Sequence, residues 1–222
     1  YKVYIVDEVH MLTKEAFNAL LKTLEEPPAH AIFVLATTEL DKVPATIVSR
    51  TQHYDFRRPQ MPEIVKRLKT VAALENIALD NQAAHTVAFV AEGSLRDAES
   101  ILGKILAVED EKVTEEEVNE ILGVPKRALL RDMFSSIASR DSSRALGLVN
   151  DLSSGGYDQV FAIKMLIQYF RNMLLLRIDP TLAEIIKQEM PEEDMVFVAE
   201  QGKAFSDIRV KHALSTLIDA LM

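Results

Sequence analysis

Val3-Tyr4-Ile5-Val6-Asp7-Glu8-Val9-His10 is the stretch on which the fold turns. Four β-branched or aromatic residues carry no charge and run straight into two adjacent carboxylates. An uncharged run of this kind predicts a strand buried on both faces, as in a parallel sheet covered by helices. A carboxylate at the end of such a strand is well placed to hold Mg2+ beside phosphate oxygens, and a neighbouring glutamate can polarise a water as general base. The competing reading of Asp7 and Glu8 is a solvated pair that caps the next helix.

Outward from that strand, residues 1–58 alternate between strand and helix. Residues 14–24 place Ala16, Leu20, Leu21 and Leu24 at helical spacing behind Thr13, a good N-cap. Glu26-Pro27-Pro28 ends that helix, because proline lacks an amide and restricts its predecessor. Residues 31–36 form a second uncharged run and predict a parallel partner strand. Residues 51–56, with Tyr54 and Phe56 on one side, predict a third.

After Pro59 the pattern is helical. Pro62 suits a helix start, followed by an apolar stripe of Ile64, Val65, Leu68, Val71 and Leu74. A second helix opens at Asp80 or Asn81 and ends near Gly93, and residues 95–106 make a third. Residues 109–112 are a charged connector. Thr114 and Glu117 then fit a capping box, each side chain satisfying the other's exposed amide. Six helices follow, over 114–122, 125–139, 141–153, 157–177, 181–202 (broken near Pro191) and 206–222. The longest carries Val160, Phe161, Ile163, Met165, Leu166, Ile167, Phe170, Met173, Leu174 and Leu175, too many apolar positions for one stripe. It is either central in its domain or buried against another subunit. The expected fold is mainly α, with a partial α/β core in residues 1–58, a three-helix unit in 59–110 and an all-α domain in 111–222.

Composition narrows the function. Net charge is −9 over 222 residues, but residues 1–108 hold 12 Lys/Arg against 14 Asp/Glu and residues 109–222 hold 13 against 20. An acidic second half is a poor surface for nucleic acid, where phosphate neutralisation dominates affinity. Cysteine is absent, which excludes disulfides and cysteine-based zinc sites and suits a cytoplasmic protein. His10, His30, His53, His85 and His212 have no ligand-like spacing. No apolar run approaches the roughly 20 residues of a membrane span.

Four short motifs occur in order. The strand ending in Asp7-Glu8 resembles the Walker B element of P-loop ATPases. Thr37-Thr38 follows the second strand, where ATPases with an additional strand carry the sensor 1 residue; as plain turn chemistry it needs no function. Ile47-Val48-Ser49-Arg50-Thr51 resembles the Ser-Arg-Cys motif of clamp loaders, with threonine in place of cysteine. Gly93-Ser94-Leu95-Arg96-Asp97 resembles sensor 2, although Arg96 could simply pair with Asp97 or Glu92. With Leu24-Glu25-Glu26-Pro27-Pro28 and Ala36-Thr37-Thr38-Glu39, the set is similar to the clamp-loader subunits of the gamma/tau family of bacterial DNA polymerase III, AAA+ ATPases of the replicative holoenzyme.

The resemblance implies a role for each residue. Asp7 would hold Mg2+ and Glu8 would act as base. Thr37 and Thr38 would lie near the γ-phosphate and the attacking water. Arg50 would reach ATP held by a neighbouring subunit, a task for which the permanently charged guanidinium fork is suited. Arg96 would contact phosphate in its own subunit, as part of a lid spanning 59–110. Residues 111–222 would be the collar that joins delta, delta-prime and further gamma/tau copies, through 112–222, into a ring that loads a sliding clamp on primer-template DNA. No Gly-x-x-x-x-Gly-Lys-Ser/Thr occurs in the sequence. The family carries that loop and a four-cysteine zinc module upstream of the Walker B strand. The chain therefore reads as a piece of a longer protein, unable to hydrolyse ATP alone and holding neither ATP nor zinc. Two alternatives are a non-catalytic delta-prime-type scaffold, which an intact Asp7-Glu8 and Arg96 disfavour, and a Holliday-junction motor, which the acidic helical tail disfavours.

Overall fold

The computed structural model describes residues 1–108 and 111–221. By internal contacts the chain forms two compact units, residues 1–57 and 58–222. In the first, strand β1 (Lys2–Val6) pairs in parallel with β2 (Ala31–Leu35), in a register that puts Tyr4 beside Phe33 and Val6 beside Leu35. The crossover is helix α1 (Lys14–Glu25), started where expected: Thr13 Oγ1 accepts from Ala16 N at 3.3 Å. A short helix, α2 (Ala45–Val48), completes the unit. Its core is small, with Val9, Phe17, Val43 and Ile47 buried.

Two expectations fail here. Strand β1 is not buried: Val3 is 58% and Ile5 71% exposed, because the sheet has only two strands among the described residues and α1 and α2 supply a small core. Residues 51–56 are not a strand. The chain leaves α2 through Thr51, whose hydroxyl donates to the carbonyls of Ile47 and Val48, and then runs without a ladder partner. Tyr54 and Phe56 stand exposed.

The second unit is helical: α3 (Met61–Leu74), α4 (Asn81–Val90), α5 (Leu95–Leu106), α6 (Glu115–Leu122), α7 (Arg127–Ser139), α8 (Ser142–Ser154), α9 (Gln159–Ile178), α10 (Ala183–Glu189), α11 (Glu192–Gly202) and α12 (Asp207–Asp219). The charged connector at 109–112 lies partly outside the described residues. Its last residue joins an unexpected two-residue parallel ladder, β3 (Ala78–Leu79) with β4 (Lys112–Val113). The Thr114 capping box forms, with Thr114 N donating to Glu117 Oε2 at 2.7 Å. The break near Pro191 separates α10 from α11.

Two apolar clusters fill this unit. Ile64, Leu68, Ala83, Val87, Ala98, Leu102 and Ile105 are fully buried together with Val113 and Val118, so β4 and α6 contribute to the core made by α3–α5. The other cluster settles the alternatives for the longest helix. Helix α9 is central, packed by α7, α11 and α12, and buries Phe161, Met165, Leu166, Tyr169, Phe170 and Met173. The Phe134 ring lies between Tyr169, Phe170, Phe197 and Phe205, with centroids 4.8–5.9 Å away. Beside it, buried Asp194 accepts from Arg127 Nη1 at 2.6 Å and from Arg131 Nη2 at 2.6 Å, and Arg127 also pairs with Glu115. Among the described residues no helix is long and apolar enough to cross a membrane.

Candidate functional site

Asp7 and Glu8 follow β1 at its carboxyl end, and Thr37 and Thr38 follow β2 at the same end of the sheet. The parallel register makes that convergence unavoidable: Ala36 N donates to Val6 O, and Val9 N to Ala36 O, both at 2.9 Å. Glu8 is held in the left-handed region, φ 47° and ψ 48°, which non-glycine residues avoid unless the surroundings hold them there. Its amide donates to Asp7 Oδ1 at 3.0 Å, and its carboxylate accepts from Thr38 Oγ1 at 3.2 Å. Asp7, Glu8 and Thr38 therefore form one exposed cluster, while the half-buried Thr37 hydroxyl turns to His10 and Glu39.

Sequence reasoning missed His10 as a member of this cluster. Its imidazole is 8% exposed; Nδ1 lies 2.8 Å from Thr37 Oγ1 and 3.3 Å from Glu8 Oε2, and Nε2 lies 3.1 Å from Glu39 Oε2. Thr37 Oγ1 also accepts from Glu39 N at 3.0 Å. With Nε2 protonated toward Glu39, the Thr37 hydroxyl is free to donate to Nδ1, and every group in the chain Glu39–Thr37–His10 is satisfied. The signal was His10 lying three residues past Asp7 in the turn Val9–Met11, which folds it back beneath Glu8.

No group of three or more His, Cys, Asp or Glu side chains able to hold a metal ion occurs among the described residues. Asp7 is a single exposed carboxylate at the end of β1, a kind of ligand that Mg2+ accepts beside phosphate oxygens. Arg50 is tied elsewhere in the same unit. Its guanidinium pairs with Glu25 at the end of α1 and donates to the Thr46 carbonyl at 2.9 Å. Arg96 lies in the other unit, in the first turn of α5, after Glu92 (φ 51°) and Gly93 (φ 83°) turn the chain and Ser94 Oγ accepts from Asp97 N at 3.2 Å. Its side chain is exposed and pairs with neither Asp97 nor Glu92; Glu92 pairs instead with Lys164 on α9.

Three family models cover almost the whole chain: residues 1–60 match the DNA polymerase III delta subunit, 63–110 the ATPase lid domain of a DNA polymerase III clamp loader subunit, and 113–221 domain III of DNA polymerase III subunits gamma and tau. The chain is 38% identical over its full length to DNA polymerase III subunit tau of Bacillus subtilis, of which it spans 38%. Over 91% of its length it is 37% identical to subunit gamma/tau of Mycobacterium tuberculosis, and over 81% it is 33% identical to subunit tau of Escherichia coli, spanning 35% and 28% of those proteins. Among solved structures, the Bacillus subtilis DNA clamp loader delta protein aligns over 99% of this chain and 70% of its own, at 15% identity and a TM-score of 0.45.

Proposed function

Since the chain belongs to the gamma/tau family of DNA polymerase III subunits, we propose that it is the part of a clamp-loader ATPase that runs from the Walker B strand through the collar. In the full-length protein this part serves ATP-driven opening and loading of a sliding clamp onto primer-template DNA, in the cytoplasm. The observation that carries the reading is the hydrogen bond from Thr38 to Glu8 at the shared end of β1 and β2. It couples the proposed base to the proposed sensor, which is what a hydrolytic site needs before water is positioned.

When bound, ATP and Mg2+ supply the phosphoanhydride to be cleaved and the charge that neutralises its oxygens. Asp7 holds the metal. Glu8 accepts the proton of the attacking water, and the Thr38 hydroxyl fixes its carboxylate by a hydrogen bond. Thr37, bonded to His10, is the second sensor 1 hydroxyl. Arg50 acts on a neighbour's nucleotide and Arg96 on phosphate in its own subunit. Residues 1–58 are the end of the AAA+ domain, 59–110 the lid and 111–222 the collar. The collar joins delta, delta-prime and further gamma/tau copies. Ile185, Val196, Ile208 and Ile218 are apolar and exposed on its last three helices, which supports subunit contact there. The 222-residue chain, which contains no P-loop, does not turn over ATP on its own.

The test uses the full-length protein assembled with its partner subunits. Arg50→Ala should lower DNA-stimulated turnover by on the order of 10³-fold or more, as trans arginines do in related phosphoryl transfer, while the isolated mutant subunit still binds ATP. Loss of ATP binding by that subunit would make Arg50 a cis residue and overturn the assignment. A second reading, a non-catalytic scaffold of the delta type, has one observation behind it, the delta-subunit model over residues 1–60. It requires Glu8→Gln to leave turnover of the assembled complex unchanged.

A further inference from the structure

Glu25 is the last residue of α1, and Glu26 follows it. Two carboxylates at a helix C-terminus oppose the macrodipole, which favours cations there. Local conflicts of this kind mark positions retained for another task. The partner that relieves the conflict is Arg50, at the end of α2 on the same unit.

The guanidinium has five N–H donors. Its Nε and Nη2 both donate to one oxygen, Glu25 Oε1, at 2.9 and 2.8 Å. Its Nη1 donates to the Thr46 carbonyl at 2.9 Å. The Ser49 hydroxyl lies 3.3 Å from Nη1, at the long end of hydrogen bonding. What remains is one N–H, on Nη2. That donor, together with the weakly held Nη1–Ser49 bond beside it, is the side of the guanidinium that a phosphate oxygen could engage. The side chain is 37% exposed, so its own unit does not cover this side completely.

We infer that Glu25 is a positioning residue: it occupies the inner edge of the Arg50 guanidinium and turns the outer edge toward the phosphate of a neighbouring subunit. The inference rests on the reading of Arg50 as a trans arginine. It assigns a role to the first glutamate of Leu24-Glu25-Glu26-Pro27-Pro28. The two prolines stop α1 just past Glu25, so the carboxylate is fixed at a helix end instead of drifting along a continuing helix.

The experiment is steady-state ATP turnover, with primed DNA and clamp, by the full-length protein in its assembled complex. Glu25→Ala should lower kcat by about 10- to 100-fold, the cost of a mis-aimed catalytic group, with the KM for ATP and the thermal melt of the isolated subunit unchanged. Glu25→Gln, which keeps an acceptor oxygen and loses the charge, should recover part of the loss. In an Arg50→Ala background, Glu25→Ala should add nothing, because the group it aims is gone. Wild-type kcat in Glu25→Ala overturns the inference. So does a raised kcat, which would make Glu25 a latch that withholds the arginine, or a further loss in the Arg50→Ala background. If Arg50→Ala itself keeps full turnover, the trans reading fails first.

Discussion

Residues 1–57 and 58–222 bury their apolar side chains in opposite ways. The first unit leaves Val3, Ile5, Ile32 and Val34 exposed on its sheet and closes over four buried residues. The second buries more than thirty in two clusters and locks one of them with Asp194 between two arginines. Nearly all the candidate chemistry sits on the first unit: Asp7, Glu8, His10, Thr37, Thr38, Arg50 and Glu25. Stability and chemistry are thus carried by different parts of the chain. Functional segments are commonly drawn from the less stable end of a structure, and here the small core gives that tendency a physical basis.

The sharpest way to break the contrast is Asp194→Ala. Removing this carboxylate leaves Arg127 and Arg131 facing each other across a buried space, and removing one partner of a buried charge cluster costs about 3–5 kcal/mol. Glu193→Ala, next in sequence but 79% exposed and 3.6 Å from Arg131, should change stability by less than about 0.5 kcal/mol. Equilibrium unfolding in urea reads both. A loss under about 1 kcal/mol for Asp194→Ala would mean that the aromatic cluster around Phe134, and not the ion network, holds the second unit together.

A pair of substitutions sharpens the first unit's side of the comparison. Ile47→Ala removes a fully buried side chain from a core of four and should destabilise residues 1–57 by about 2–4 kcal/mol. Ile5→Thr keeps the β-branch on an exposed strand position and should stay within about 0.5 kcal/mol. Hydrogen exchange resolved by segment separates the units: the β1–β2 ladder should exchange well before α9 in the wild type, and earlier still in Ile47→Ala. Equal protection of β1 and α9 would erase the difference between the units.

How much of this was legible in the sequence follows the range of the interactions. Thr13, Thr114 and Pro191 act on residues within one turn, and they start or stop helices where their chemistry says they should. The site strands were legible because four apolar residues ending in Asp7-Glu8 need no distant partner to be recognised. Burial of β1 was not, since exposure depends on how many strands the sheet holds. The ladder between Ala78 and Lys112 and the ion pair between Arg127 and Asp194 join residues 34 and 67 positions apart, and no local pattern encodes either. His10 and Glu25 fell between the two cases: each lies in or beside a recognised motif, but its role comes from the side chain it meets in space.

The smallest expected effect concerns His85 on α4, whose Nδ1 is buried without a hydrogen-bond partner. Burial lowers its pKa below the usual value, and the positive charges of Arg127 and then Lys69 lower it further. The folded state therefore prefers the neutral imidazole. Above the unfolded value of about 6.5 neither state carries the proton and His85 costs nothing. As pH falls below that value, the unfolded chain takes up the proton first, so stability drops until the lowered folded pKa is reached. One proton limits the slope to about 1.4 kcal/mol per pH unit. His85→Gln removes this contribution while His10, His30, His53 and His212 remain as a common background. Unfolding free energies measured from pH 7.5 to pH 5 should decline less steeply in the variant than in the wild type. Parallel declines would mean that His85 is protonated equally in both states, and that the second unit's loss of stability in acid owes nothing to a neutral histidine beside Arg127.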